Sequence, residues 1–106
     1  MAQFDVHRNA GKHSDEIPFV VIVQSSLFDD YRRRVVVPLV RKSAAGKTVH
    51  RDFNPTFKIL DVAVVLHPLE IVSVATDQLG APVASLSAEG GRIMAALDEL
   101  FTQAWK

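Results

Sequence analysis

The sequence predicts a mainly β fold, in which an antiparallel, barrel-like sheet has one helix packed against it. Two observations predict it: several short segments rich in Val and Ile precede residue 76, and the apolar period then changes to that of a helix near the end of the chain. A third is length, since 106 residues suffice for one hydrophobic core and suggest a single domain over 1–106.

The first half of the chain contains three predicted strands. Gln3–Arg8 alternates, with Phe4 and Val6 facing one side, and is followed by a polar turn. Ile17–Gln24 is dense in β-branched residues and is predicted to be a central strand. A loop then leads to Arg33–Val40, which we expect to end around Pro38, because proline cannot donate to a strand ladder.

The second half contains three more predicted strands before the helix. These segments are Thr56–Leu60, Val62–Leu66 and Leu69–Ala75. The last two are expected to be joined by a tight turn at His67-Pro68. Thr76–Pro82 includes a glycine and a proline, and it is predicted to be a polar connection without strand structure.

The predicted helix runs from about Ala88 to Ala104. Ser87 is a candidate N-cap, and Gly90 and Gly91 weaken the first turn by roughly 1 kcal/mol each, so packing must hold this helix. One apolar stripe recurs at helical spacing and consists of Ile93, Leu97, Leu100, Phe101 and Ala104.

The amino-acid composition limits the classes of function that the chain can have. The twelve basic residues equal the twelve acidic ones, so nothing in the net charge indicates direct binding of nucleic acid. The absence of cysteine excludes disulfides, thiolate metal sites and a cysteine nucleophile, and it fits a cytoplasmic protein. No signal peptide is recognised, and the longest apolar runs have only the length of a strand, so no membrane span is expected.

Few residues are arranged for chemistry, and no cofactor is expected. Gly46-Lys47-Thr48 lacks the earlier glycine of a phosphate-binding loop, and Ser25-Ser26 lies outside any nucleophile elbow. His7 and His13 could form a metal site with Asp5 or Asp15. Because none of these spacings is a recognised ligand pattern, we favour solvated surface histidines.

A charged cluster follows the second predicted strand. Asp29-Asp30, Tyr31 and Arg32-Arg33-Arg34 could serve general acid–base cleavage of RNA. The favoured interpretation is a solvated loop that leads into an edge strand, where charges prevent strand addition.

Apolar residues at two places in the sequence indicate surface that a monomer cannot easily bury. Leu27 and Phe28 lie in a polar loop, and Trp105, the only tryptophan, is the second-last residue. Trp105 could close the core beneath the helix end or contribute to an interface, since tryptophan is favoured in binding hot spots.

These residues carry a family resemblance. Val23-Gln24-Ser25, an apolar pair and Asp29 are followed by Arg-Arg-Val-Val-Val-Pro-Leu over residues 33–39. With the opening Gln3-Phe4-Asp5-Val6, this pattern resembles the CcdB toxins of plasmid and chromosomal toxin–antitoxin modules. The match needs no insertion from Gln24 to Phe101. Further matching residues are Pro55, Ser73, Val74, Leu86 and Ser87.

The resemblance implies a five-stranded antiparallel SH3-like sheet, a small accessory hairpin, a C-terminal helix and a homodimer. It implies no enzymatic activity: such toxins bind the A subunit of DNA gyrase and trap its cleaved-DNA complex, and a CcdA-like antitoxin neutralises them. The gyrase-binding positions carried over to this chain are Leu27, Phe28, Asp98, Phe101, Thr102, Gln103 and Ala104, and Trp105 is added as a nearby aromatic.

The end of the chain departs from that family pattern. Known members have Trp-Gly-Ile where this chain has Thr102, Gln103 and Ala104, and Trp105 comes about one helical turn later. A homologue that mainly binds its antitoxin, or that has another target, therefore stays open.

An endoribonuclease of the MazF and Kid type is the third interpretation, with Asp29, Arg32, Arg33 and His50 as acid, base and phosphate contacts. That family's opening motif is not found in this sequence.

Overall fold

A computed structural model describes residues 2–46 and 50–102 of the chain. Over these ranges the chain forms seven strands and one α-helix, joined by turns and short 3₁₀ segments. The strands are β1 (Asp5–Asn9), β2 (Phe19–Ile22), β3 (Arg33–Arg41), β4 (Thr56–Ile59), β5 (Val62–Leu66), β6 (Val72–Ala75) and β7 (Leu79–Ser85), and the helix is α1 (Gly90–Thr102).

The strands form one curled antiparallel sheet. Its order is β4-β5-β3-β2-β1-β7, and β6 also pairs with β3. β6 lies beside β3, and β7 lies beside β1. Since only Thr76–Gln78 joins β6 to β7, the chain crosses the open side of the curled sheet there. The strands β7-β1-β2-β3-β6 are thus the five of the half-barrel, and β4–β5 is the added hairpin. The predicted fold class is confirmed.

The hydrophobic core lies between the sheet and α1. The helix contributes Ile93, Ala96 and Leu97, and the central strands contribute residues such as Val21 and Val37. The helix also reaches the hairpin, where the guanidinium of Arg92 lies 4.7 Å from the ring centroid of Phe57. No helix among the described residues is long and apolar enough to cross a membrane.

Pro38 lies inside β3, so the prediction that the strand ends there is wrong. On one side of β3, Pro38 is opposite Val20 of β2. On its other side, β6 pairs only as far as Val36 and β5 pairs only from Leu39. The missing N–H therefore falls near a gap between two partner strands, where a proline costs little.

The predicted polar connection over Thr76–Pro82 is also wrong, because most of it belongs to β7. This strand pairs with β1 alone, and the pairing is irregular between Val6 and His7 and between His7 and Asn9. Gly80 and Pro82 are tolerated because the strand is at an edge and is bulged. The glycine is required by close approach, since a Cβ there would lie 2.5 Å from the carbonyl oxygen of Arg8.

Two boundaries differ from the predictions. The chain does not reverse at His67-Pro68: β5 and β6 both run antiparallel to β3, and the 3₁₀ turn Pro68–Glu70 separates them. Ser87 is not an N-cap but the first residue of a 3₁₀ turn that leads into α1 at Gly90. The predicted helix end at Ala104 lies outside the described residues.

Candidate functional site

The loop between β2 and β3 displays large apolar side chains. A 3₁₀ turn over Ser26–Phe28 is capped by Ser25, whose Oγ accepts a hydrogen bond of 3.2 Å from the N–H of Leu27. The turn leaves 86% of Leu27 and 49% of Phe28 exposed. The prediction that both residues lie outside the core is therefore confirmed.

Tyr31 extends this apolar surface, and sequence reasoning missed its part in it. Its ring meets that of Phe28 edge to face, with centroids 6.1 Å apart, and 65% of the residue is exposed. The sequence did contain a signal for this surface, since three aromatic or aliphatic side chains occur in a five-residue stretch of a polar loop. We call Leu27, Phe28 and Tyr31 the loop patch.

Arg34 holds the backbone of this loop from below. The residue is 5% exposed, and its two terminal nitrogens donate to carbonyl oxygens of Asp29 (2.7 Å), Tyr31 (2.6 Å) and Arg33 (2.9 Å). Its Nε lies 3.9 Å from Oδ1 of Asp29, an ionic contact that is too long for a hydrogen bond. The guanidinium is a rigid planar fork of donors and can bind several carbonyls at once. The single ammonium group of lysine could not bind all of them in this geometry.

Gln24, two residues after the end of β2, also holds this loop. Its Nε2 donates to the carbonyl oxygens of Phe28 (3.2 Å) and Arg33 (3.3 Å), while its Oε1 accepts from the N–H of Val35 at 3.1 Å. The side-chain amide of Gln24 thus connects the 3₁₀ turn at Phe28 to the beginning of β3.

A groove of 580 Å³ opens beside the loop patch. Apolar side chains such as Val23, Val35 and Phe28 line it, and Arg33 supplies a cation. The guanidinium of Arg33 is already oriented, because Nε and Nη2 donate to Oγ and the carbonyl oxygen of Ser73, both at 2.7 Å. An apolar groove with one fixed charge is suited to binding rather than to bond cleavage.

The end of α1 exposes a second apolar group. Phe101 belongs to the predicted stripe, yet it is 65% exposed, and Asp98 and Thr102 beside it are also exposed. The remaining predicted site residues, Gln103, Ala104 and Trp105, lie outside the described residues.

The loop patch and the helix end border different spaces within one chain. The groove beside Phe28 is lined by residues of the segment between β2 and β3 and by residues of β3. On the helix side, Glu99 faces a separate cavity of 370 Å³ that is lined by residues 50–53. These two cavities share no lining residue.

The histidines are placed differently from what we expected. His7 is buried rather than solvated, and its Nδ1 lies 2.9 Å from the carbonyl oxygen of Gly80, whereas His13 is exposed. No three His, Cys, Asp or Glu side chains approach closely enough to hold a metal ion within residues 2–46 and 50–102.

The charged cluster has the expected character only in part. The prediction of a solvated loop is confirmed for residues 29–33, which are exposed, but Arg34 is buried, and the predicted edge strand is wrong because β3 has partner strands on both sides. For the ribonuclease interpretation, His50 lines the cavity near Glu99, whereas Arg33 lines the groove beside Phe28. Of the glycine-lysine-threonine motif, Lys47 and Thr48 lie outside the described residues.

Comparison with protein families identifies a match that covers most of the chain. The model of the CcdB protein family matches residues 3–103. Comparison with curated protein sequences gives no significant match.

Proposed function

The chain belongs to the CcdB family, the toxins of toxin–antitoxin modules, and we propose that it binds the A subunit of DNA gyrase and traps the cleaved-DNA complex. The family consists of gyrase poisons rather than catalytic enzymes. Binding without bond cleavage is also what the loop patch and its groove are suited to.

The exposure of the apolar residues at the family's gyrase-binding positions carries this proposal. Leu27, Phe28 and Phe101 occupy such positions and are all largely solvent-accessible. A monomer gains nothing from leaving them outside its core, whereas a partner would desolvate them. Anchors of this kind contribute roughly 1 to 4 kcal/mol each to binding, through burial and through contact with a cation.

The proposal includes a homodimer. Around a two-fold axis, an isologous interface presents every surface patch twice. The A subunits of gyrase form a two-fold target, which would accept two copies of the patch at once. Dimerisation would also allow the helix end and the loop patch of different protomers to contact one target together.

The proposed physiological partner that relieves toxicity is a CcdA-like antitoxin. In such modules a disordered antitoxin segment folds on the toxin. An exposed apolar surface with an adjacent groove is the kind of surface on which a folding segment gains enough burial to offset its ordering entropy.

A DNA cleavage assay with purified gyrase tests the proposal. The wild type should accumulate linear, cleaved DNA, and the double variant Phe101→Ala, Trp105→Ala should lose this effect because the helix end loses its aromatic anchors. Leu69→Ala is the control for the loss of an exposed apolar side chain, since Leu69 is 74% exposed and lies on the turn Pro68–Glu70, outside both α1 and the loop patch. If the wild type traps no cleaved DNA at micromolar concentration, gyrase is not the target.

A second candidate function is supported by the end of the chain. Thr102, Gln103 and Ala104 replace the Trp-Gly-Ile of known members, so this chain lacks the usual aromatic at that point. A homologue that mainly binds its antitoxin, or one with another target, would retain the fold without the gyrase contact. Induction without growth arrest, together with tight binding of the neighbouring gene's product, would select this candidate.

A further inference from the structure

We propose that Gln24 and Arg34 are positioning residues that hold the loop patch in its binding conformation. The inference rests on the proposed function, because it assigns these two residues to the surface that would contact the target. Neither residue belongs to the loop patch itself: Gln24 is half-buried and lines the adjacent groove, and Arg34 is 5% exposed beneath the loop.

The loop has little apolar anchoring of its own. Its three large apolar side chains, Leu27, Phe28 and Tyr31, are all exposed, so burial contributes little to fixing its backbone. A loop with so few buried contacts would be expected to sample many conformations. Its order must come from polar contacts.

Side-chain donors add to the backbone hydrogen bonds of the loop itself, such as the one from the N–H of Tyr31 to the carbonyl oxygen of Phe28. Gln24 and Arg34 together donate three hydrogen bonds to carbonyl oxygens of the loop, at Phe28, Asp29 and Tyr31, and both also donate to that of Arg33, the first residue of β3. Backbone carbonyls before and after Asp30 are thereby tied to Gln24, which follows β2, and to Arg34 of β3. Because β2 and β3 are paired, both side chains start from fixed positions and hold the loop patch in place.

The two residues serve the loop more than they serve the core. Arg34 carries a buried charge that donates to two loop carbonyls and to that of Arg33, and its ionic partner, Asp29, also belongs to the loop. A lysine at this position would keep the charge but could not reach these carbonyls with a planar fork of donors.

A single fluorine probe tests the positional role directly. Tyr31 is the only tyrosine of the chain, so incorporation of 3-fluorotyrosine gives one ¹⁹F resonance from the loop patch. In the wild type, packing against the ring of Phe28 should separate this resonance from that of the urea-unfolded protein. Gln24→Glu keeps the acceptor for Val35 but removes both donors, and Arg34→Lys keeps the charge but removes the fork.

Both variants should move the resonance at least halfway towards its unfolded position while the far-ultraviolet circular dichroism stays native. Gln78→Glu is the matched control, because Gln78 is exposed in the turn between β6 and β7. Should Arg34→Lys not fold, Gln24→Glu alone decides the question. A resonance that keeps its wild-type position in folded Gln24→Glu overturns the inference.

Titration of the isolated gyrase A subunit supplies the functional readout. If the loop patch occupies its binding conformation only a tenth of the time, the apparent affinity falls about tenfold. Arg34→Lys, at a buried position that cannot contact the target directly, should therefore bind roughly tenfold more weakly than Gln78→Glu, and Gln24→Glu should do the same. Equal affinities, with the resonance displaced, would also overturn the inference. A wild type that does not bind gyrase refutes the proposed function instead, and the fluorine resonance still decides whether the two residues hold the loop.

Discussion

The two glycines at the start of α1 have different roles. A Cβ on Gly90 would lie 2.6 Å from Cε2 of Phe4, whereas a Cβ on Gly91 would meet nothing within 4 Å. Phe4 is itself constrained, because it has a positive φ of 70°, donates to the carbonyl oxygen of Ile22 and accepts from the N–H of Leu86. Gly90 is therefore required because only a residue without a side chain lets the ring of Phe4, just before β1, pack against the start of α1.

Gly90→Ala should lower the free energy of unfolding by about 1 to 3 kcal/mol, because the added methyl overpacks the ring of Phe4. Gly91→Ala, its control, should raise the same free energy by up to about 1 kcal/mol, since alanine favours an open helical position. Urea denaturation followed by circular dichroism measures both values. Equal effects at the two positions would show that Phe4 does not pack there.

His7 shows why a single residue can be misjudged from its local pattern. Alternation along β1 placed it opposite the buried side of Val6, which suggested solvent. The structure buries both, because His7 lies opposite Val20 of β2 and Pro82 of β7. Its burial depends on a strand that the sequence pattern did not reveal.

Two residues in a left-handed conformation form the turn of the hairpin β4–β5. Leu60 and Asp61 have φ values of 49° and 65°, as a two-residue type I′ turn requires. Leucine rarely adopts this conformation, and the sequence contains neither Asn nor Gly there. The hairpin forms because Val64 and Val65 are fully buried and Phe57 is largely buried, despite a strained turn.

Replacing the turn with Asn-Gly should stabilise the fold. The double substitution Leu60→Asn, Asp61→Gly should raise the free energy of unfolding by about 1 kcal/mol or more, because both residues adopt positive φ readily. Leu69→Asn is the control, since Leu69 is exposed but has no positive φ. Thermal unfolding of the three proteins measures the difference, and a loss of stability in the double variant would contradict the assigned turn.

Elements with strong local patterns were predicted well, and elements that depend on partners were not. β5 begins and ends where the sequence predicts, because five consecutive apolar residues between polar turns have few alternatives. β7 was missed because Gly80 and Pro82 argue locally for a loop, whereas pairing with β1 stabilises an edge strand. Pro38 was misjudged for the same reason: only the arrangement of β5 and β6 along β3 shows where a donor is dispensable.

At the scale of the whole molecule, the proposed dimer predicts a mass. Light scattering after size-exclusion chromatography should give twice the 11.7 kDa of one chain at micromolar concentration. The double variant Leu27→Asp, Phe28→Asp should keep this mass and lose gyrase binding, because the proposal assigns the loop patch to the target. A monomer at 100 µM would contradict the proposed dimer, and dissociation caused by the variant would place the loop patch in the dimer interface.

The sequence by itself determined the fold class, the strongly patterned strands, the helix and the location of an apolar pair outside the core, because period and local composition depend only on neighbouring residues. The family resemblance was also legible in it, and the family match over residues 3–103 confirms that. Only the tertiary structure decided that Arg34 is buried under the loop, that Tyr31 joins Phe28, and that β7 closes over His7. These features depend on partners far apart in the chain, since a buried charge or a weak edge strand is stable only where distant groups satisfy it.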